Sequence, residues 1–260
     1  MKNSALNEIT QHVQSATGHT IRWQRAFDTI SNSAWLVEFD GKQGVLRRHT
    51  LSFGAPVTDH TRELAIHRLA IDAGLSPDIL YVDTEAGLLI SRYEPAGVFG
   101  KDDIYADDSL SAIAATLRQL HAIELPAGLD GYSLSDAAEC YWRRAGCPDD
   151  QSLTQLVSLV REHESRIVTP PVLCHRDLLH SNILNTRPVQ LIDWEFASPG
   201  EGWFDLAAFV VWHEFDEKTT DQFIGAYLQR EATNDEQRAF KRAVESFAAL
   251  CTLWSLPAVA

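Results

Sequence analysis

Two short polar clusters stand in apolar surroundings. "HRDLLHSN" (175–182) holds Asp177 and, five residues on, Asn182; "IDWE" (192–195) holds Asp193, eleven residues after Asn182. A hard divalent cation such as Mg2+ takes oxygen ligands, usually one or two carboxylates, and completes its shell with water and phosphate oxygens. Asp193 ends the apolar run "VQLID", which would hold its carboxylate rigidly, and Asn182 offers a neutral carbonyl oxygen. Asp177 is then left to orient an incoming hydroxyl and take its proton. That division of roles serves phosphoryl transfer, where positioning and charge neutralisation supply most of the catalysis. Any one of the three is at home in a turn; the joint spacing between apolar runs is what points to a site.

The elements that must position these residues fall into two groups. Up to about residue 92 the pattern is strand-rich. A short amphipathic helix over 3–16 (Leu6, Ile9, Val13) precedes a hairpin in "AWLVEFDGKQGVLRRH", with "DGKQG" as its turn. A helix over 59–73 follows, then strands in "DILYVD" and "GLLISRY". Beyond "EPAG", helical spacing dominates: 108–123 with Asp108 as N-cap, then 133–145, 150–167, 203–215, 218–230 and 234–254. Short β-like runs, "VLC", "NIL" and "VQLID", interrupt the helices around the two clusters. The expected division is 1–92 and 93–260, in an α+β protein.

Composition narrows the partners. The 260 residues are 45% hydrophobic with a net charge of −14, which disfavours non-specific binding to nucleic acid or anionic membrane. An anionic ligand must be held by local cations. The four cysteines form no C-x-x-C pair, so buried reduced thiols are expected rather than a metal knuckle. The N-terminus lacks the apolar core of a signal peptide, and no run reaches the ~18 apolar residues of a membrane span. These features predict a cytoplasmic protein.

"HRDLLHSN" followed by "IDWE" resembles the catalytic and metal-binding loops of the aminoglycoside phosphotransferase and choline kinase group, with thiamine kinase-like and choline kinase-like members nearest. The resemblance implies a protein-kinase-like fold of two lobes, β-rich and then mainly helical, using ATP and Mg2+. Protein kinases also carry H-R-D-x-x-x-x-N, but here "IDWE" replaces D-F-G and no A-P-E follows. Only eleven residues separate Asp193 from Asp205, so a small-molecule acceptor is favoured over a protein.

By the same resemblance, Asp177 is the catalytic base and Asn182 and Asp193 hold the metal. Arg47 in "GVLRRH" grips the nucleotide phosphates; strand side chains alternate, so only one of Arg47 and Arg48 can serve. Glu63 pairs with Arg47, and backbone groups of Ser91 to Tyr93 meet adenine. "RQLHAI" and "WFDLAAF" are typical of the group, with Asp205 in the latter bracing the catalytic loop. Three departures stand out. The nucleotide loop "DTISNSAWLV" lacks glycine, with Thr29 where Gly is usual, so Ser31, Asn32 and Ser33 side chains must help. His180 stands where Pro is common, and is either a surface loop residue or a substrate contact. Arg47 stands where many kinases carry Lys. His175 is expected to hold the loop, and Arg176 to make a local ion pair.

For the acceptor, Glu195, Trp203, Trp212 and Glu214 combine carboxylates with indole faces, as an organic cation requires; Tyr141 and Trp142 are candidates for the same wall. Core packing is the alternative for both Trp203 and Trp212. The expected substrate is a hydroxyl of a small cationic metabolite, thiamine or choline/ethanolamine. The alternatives are an aminoglycoside phosphotransferase and a degenerate kinase that binds ligand without catalysis.

Overall fold

A computed structural model of the chain describes residues 2–27, 32–49 and 57–258. The chain forms two compact units, one of Met1–Ser52 and Pro77–Pro95, the other of Phe53–Ser76 and Ala96–Ala260. The segment 53–76 therefore groups with the helical residues, although in sequence it lies among the strands.

The first unit holds helix α1 (Lys2–Thr17) and strands β1 (Arg22–Phe27), β2 (Asn32–Phe39), β3 (Lys42–His49), β4 (Ile79–Asp83) and β5 (Leu88–Arg92). They make an antiparallel sheet in the order β1-β2-β3-β5-β4. The hairpin turn is tighter than "DGKQG" suggested. Phe39 pairs with Lys42, so only Asp40 and Gly41 lie outside the ladder. Both have positive φ, 50° and 69°, as a two-residue turn that follows strand twist demands. Ile9 and Val13 of α1 pack with Val37, Phe39, Leu46, Leu88 and Ile90 into one core.

Pairing of Leu46 with Ile90 puts both on this α1 side; Arg47, paired with Ala34 and Leu89, faces the other way. Arg48 shares the α1 side and lines a hollow there with Glu8, Ile9, His12, Ala86 and Leu88. Gly44 is needed where β3 crosses β5. A Cβ there would stand 2.6 Å from Ile90 Cγ2 and 3.1 Å from the Ser91 carbonyl oxygen.

The second unit contains helices α2 (His60–Asp72), α3 (Asp107–His121), α4 (Leu134–Arg144), α5 (Gln151–Ser165), α6 (Gly202–Trp212), α7 (Glu217–Leu228) and α8 (Asn234–Trp254). Strands β6 (Val172–Cys174) and β9 (Ser198–Gly200) pair with each other, as do β7 (Ile183–Leu184) and β8 (Gln190–Leu191). Helix α3 starts one residue before the expected Asp108 cap. Ala106 is its N-cap and makes no side-chain bond, while Asp107 Oδ1 accepts from Gln222.

Two cores meet at α6. Leu206, Phe209 and Val210 join the core with α3 and α7; Phe204, Ala207 and Ala208 join the core with α4, α5 and α8. A helix apolar on every side is a buried helix, and α6 is the frame of this unit. Among the described residues, no helix is long and apolar enough to cross a membrane.

Gly44→Ala should cost about 1–3 kcal/mol through overpacking against Ile90. Urea unfolding checks this, and an unchanged midpoint would contradict the close approach of β3 to β5.

Candidate active site

Asp205 lies in the first turn of α6 with no exposed surface. A carboxylate in apolar surroundings must be matched by donors. Its Oδ2 accepts from the His175 N–H at 2.8 Å and its Oδ1 from the Arg176 N–H at 2.7 Å. His121 Nε2–H donates to Oδ2 at 3.2 Å, and His121 Nδ1 accepts from the Tyr227 hydroxyl at 2.8 Å. Burial opposes the charge, but the bonds from His121 and the His175 N–H hold Asp205 below the usual carboxylate range. The chain passes Arg176 at φ 66°, a left-handed turn that an ordinary residue adopts only when its surroundings compel it. The Arg176 guanidinium makes no local ion pair among the described residues. It donates to the carbonyls of Tyr132 and Pro199 and stacks over the Tyr132 ring at 4.4 Å.

His175 locks the next layer. Its Nε2–H donates to the Ile192 carbonyl at 3.0 Å, and its Nδ1 accepts from the Asp177 N–H at 3.3 Å. Those partners define one neutral tautomer, and burial lowers the pKa to match. The Ile192 N–H in turn donates to the Asn182 carbonyl at 3.0 Å, extending the β7–β8 ladder, where Ile183 faces Leu191. The residue before Asp193 is thus pinned on both sides by the 175–182 segment. Asp193 follows at φ 67°, half-buried, and turns the chain into a short helix, 194–196. Sequence spacing put Asp177, Asn182 and Asp193 in one site, and these backbone bonds bring their three segments together.

Asn182 Nδ2 donates twice to Asp177, to Oδ2 at 2.8 Å and to the carbonyl at 3.0 Å. That fixes the amide, so its Oδ1 faces away from Asp177. The Asp177 carboxyl is pushed up to about 6 by burial and by the negative charge of Glu195, against the lowering effect of Asn182 and Trp212. The Trp212 Nε1–H is buried with no partner in hydrogen-bond geometry, so it acts on Asp177 as a nearby dipole rather than through a formed bond. A site with excess negative charge and oxygen donors on Asn182 and Asp193 suits a hard divalent cation.

The remaining expected residues are dispersed. Glu195 is buried beside Asp177. Trp203 packs at 6.5 Å from Tyr227 and 6.2 Å from Phe240, between the two cores, so core packing accounts for its ring. Glu214 is exposed beyond the end of α6. Trp194 is core: its Nε1–H donates to Ser76 and its ring lies 4.6 Å from His175. In the first unit, Arg47 is buried, and Ser91 lies on the same sheet side as Arg47. The Arg92 and Tyr93 N–H groups are spent on the Asp78 and Gln43 carbonyls. Glu63 is buried on α2, in the second unit, with His60 Nδ1 3.6 Å away. Ser31 lies outside the described residues, and Asn32 is described only as the first residue of β2.

Two neighbours of the site were missed. Cys251 on α8 is half-buried, and burial with the Asp177 charge pushes its thiol up to about 12. His213, at the C-cap of α6, accepts the His180 N–H. Both are remote from the loop in sequence, and no local pattern marks them.

Several known proteins resemble this chain. Ethanolamine kinase 2 of Rattus norvegicus is 26% identical over 212 residues, covering 76% of this chain and 53% of that protein. The chain thus spans about half the length of the curated relatives it matches. A choline/ethanolamine kinase family protein from Mesorhizobium loti superposes with a TM-score of 0.77 at 21% identity, over 98% of this chain and 85% of its own. Choline kinase LicA from Streptococcus pneumoniae gives 0.72 at 21%, over 95% and 89%. A spectinomycin phosphotransferase in complex with ADP and spectinomycin gives 0.61 at 14%, over 95% and 85%. The fold is therefore the protein-kinase-like one of these enzymes. Residues 23–241 match the family described as the Phosphotransferase enzyme family, and the chain belongs to it.

Proposed function

We propose that this chain is an ATP- and Mg2+-dependent kinase that phosphorylates a hydroxyl of a small cationic metabolite, with ethanolamine or choline preferred over thiamine. The observation that carries the reading is the Asp177 carboxyl held near neutrality, with Asn182 on one side and Glu195 and Trp212 close by. A general base works best with a pKa close to the working pH. Asp177 Oδ2 is held by Asn182, and the Glu195 carboxylate is near enough to act on it, so a cationic acceptor gains from both charges. The Trp212 N–H edge lies nearby and favours the ionised base, while its ring packs against Phe247. The similarity to ethanolamine and choline kinases supports the amino alcohol over thiamine.

Asp177 orients the acceptor hydroxyl and takes its proton. Asn182 Oδ1 and the Asp193 carboxylate hold the metal, which supplies charge neutralisation on the transferring phosphoryl group when bound. Asp205, through the His175 and Arg176 N–H groups, keeps Asp177 at a fixed position. Arg47, on the sheet side opposite α1, binds nucleotide phosphates, and its planar fork suits their oxygens. Adenine meets the backbone near Ser91 to Tyr93 through carbonyls, because the Arg92 and Tyr93 N–H groups are spent within the sheet.

A coupled ADP-release screen over ethanolamine, choline, thiamine, sugars and aminoglycosides tests the reading. Ethanolamine or choline should give the highest kcat/KM, and Asp177→Ala should reduce turnover about 10²–10⁴-fold. Turnover confined to aminoglycosides would replace the substrate assignment, and a normal rate in the Asp177 variant would remove the base.

The base must be ionised, so kcat/KM should fall as pH drops below about 6. Glu195→Gln removes a like charge and should move that acid limb to lower pH. A limb that stays in place would exclude Glu195 as the electrostatic partner.

The raised pKa also carries a stability cost. Folded Asp177 holds its proton up to about pH 6, whereas an ordinary carboxyl loses it near 3.8. Between those values the folded state binds more protons, so stability falls as pH rises through the window. Asp177→Asn removes the penalty. Without magnesium or substrate, its Tm should exceed that of the wild type above pH 6, and the difference should fade toward pH 4. A Tm difference independent of pH would contradict the shift.

A further inference from the structure

The His180 N–H donates to His213 Nε2 at 3.1 Å, and His213 Nδ1–H donates to the Phe209 carbonyl at 2.7 Å. The two bonds fix one tautomer, with Nε2 as the acceptor. His213 is 1% exposed. Its ring lies edge-on to Phe209 at 4.5 Å and to His180 at 5.8 Å, and its carbonyl accepts from the Tyr105 hydroxyl at 2.5 Å. Burial pushes its pKa down to about 4, with the nearby charges of His180 and Lys101 adding to the shift. The ring is therefore neutral, as an acceptor must be.

We propose that His213 is a positioning residue that anchors the far end of the loop bearing Asp177 and Asn182, by accepting a backbone N–H that exists only because position 180 is not proline. The proposal rests on Asp177 and Asn182 acting as base and metal ligand. Helix α6 then grips the loop twice, with Asp205 at residues 175 and 176 and His213 at residue 180.

The backbone at this point is ready for proline. Leu179 has φ −76° and ψ 146°, the extended geometry that a following proline imposes. His180 opens the short helix 180–182, the position where proline is best tolerated. The neighbouring bond, Asn182 N–H to the Leu179 carbonyl, does not use the residue-180 N–H. His180→Pro therefore deletes the donor and leaves the local turn intact.

Three variants test the anchor. His213→Asn keeps a donor for the Phe209 carbonyl but has nothing at the Nε2 position; His213→Gln places an oxygen there. With ATP and ethanolamine or choline, His213→Asn should lower kcat about tenfold, the loss expected for one hydrogen bond, with both KM values within about twofold of wild type. Amide hydrogen exchange over residues 178–182, measured without ligand, should speed up. His213→Gln should recover most of both. In a His180→Pro background, His213→Asn should change kcat by less than about twofold, because the shared interaction is already gone. An equal loss in both backgrounds, no rescue by Gln, or unchanged exchange would overturn the proposal. Should His213→Asn not fold, exchange in His213→Phe, which keeps a ring but offers no acceptor at the Nε2 position, decides: faster exchange over residues 178–182 upholds the anchor and wild-type protection sinks it. The exchange readout is independent of catalysis, so failure of Asp177→Ala to lose activity would be a separate result.

Discussion

Asp205 sets the constraint on which the site depends. It is a carboxylate inside a helix that is apolar on every side, and leaving such a charge unmatched would cost several kcal/mol. It is matched by two consecutive backbone N–H groups and one imidazole. Hydrogen bonds to a charged group are worth roughly 1.5–3 kcal/mol each, against about 1–2 kcal/mol for holding Arg176 in the left-handed region. The bonds win, and the chain turns at Arg176, one residue before Asp177. The position of Asp205 in the first turn of α6 helps, because the helix N-terminus favours negative charge.

The same few residues hold two carboxyls with opposite behaviour. Asp205 lies below the usual range because every donor around it stabilises the anion. Asp177 lies above it because burial and Glu195 outweigh Asn182. Pairs of groups pushed apart in this way mark acid–base assignments in enzyme sites. Here the low member braces the loop through two backbone N–H groups, and the high member is the one proposed as the base. The two imidazoles that serve them are both neutral but in opposite tautomers. His175 donates from Nε2 and accepts at Nδ1; His213 donates from Nδ1 and accepts at Nε2. Each is set by the carbonyl it can reach, Ile192 for one and Phe209 for the other.

What was legible in the sequence was local. Asp177, Asn182 and Asp193 showed because a loop, a hairpin and a strand end keep them within one short stretch. Strand alternation separated Arg47 from Arg48, and the pairing of β3 puts the two on opposite sides of the sheet; the choice of Arg47 between them rested on the resemblance. Strand β1 was missed because "RWQRAF" is largely exposed and pairs only with β2, so no apolar alternation announces it. Strand β9 was missed because Pro199 sits in its middle, a residue that argues against strand. Trp203 was read as a candidate acceptor contact, yet at the junction of two cores an indole finds more apolar surface than at a site. Cys251 and His213 reach the loop only through tertiary packing, so nothing adjacent in sequence could have named them. The His180 departure was visible, but its physical meaning appeared only with the ring that accepts its N–H.

One helix therefore acts as the gauge of the loop. From Asp205 to His213, α6 rises about 12 Å at ~1.5 Å per residue. From His175 to His180 an extended chain would reach about 17 Å at ~3.3–3.6 Å per residue. The loop is longer than the helical interval that anchors it, and the surplus must be taken up by bending. The left-handed Arg176 and the short helix at 180–182 are where it bends, and Asp177 lies between them. A carboxyl set by both ends of a single buried helix moves only if that helix moves, which gives a firmer position than a loop tethered to separate elements. The apolar character of α6 and the placement of the carboxyl are thus one design. The helix is buried because it joins two cores, and because it is buried, Asp205 and His213 need partners inside the fold, which the loop supplies together with His121, Phe209 and Tyr105.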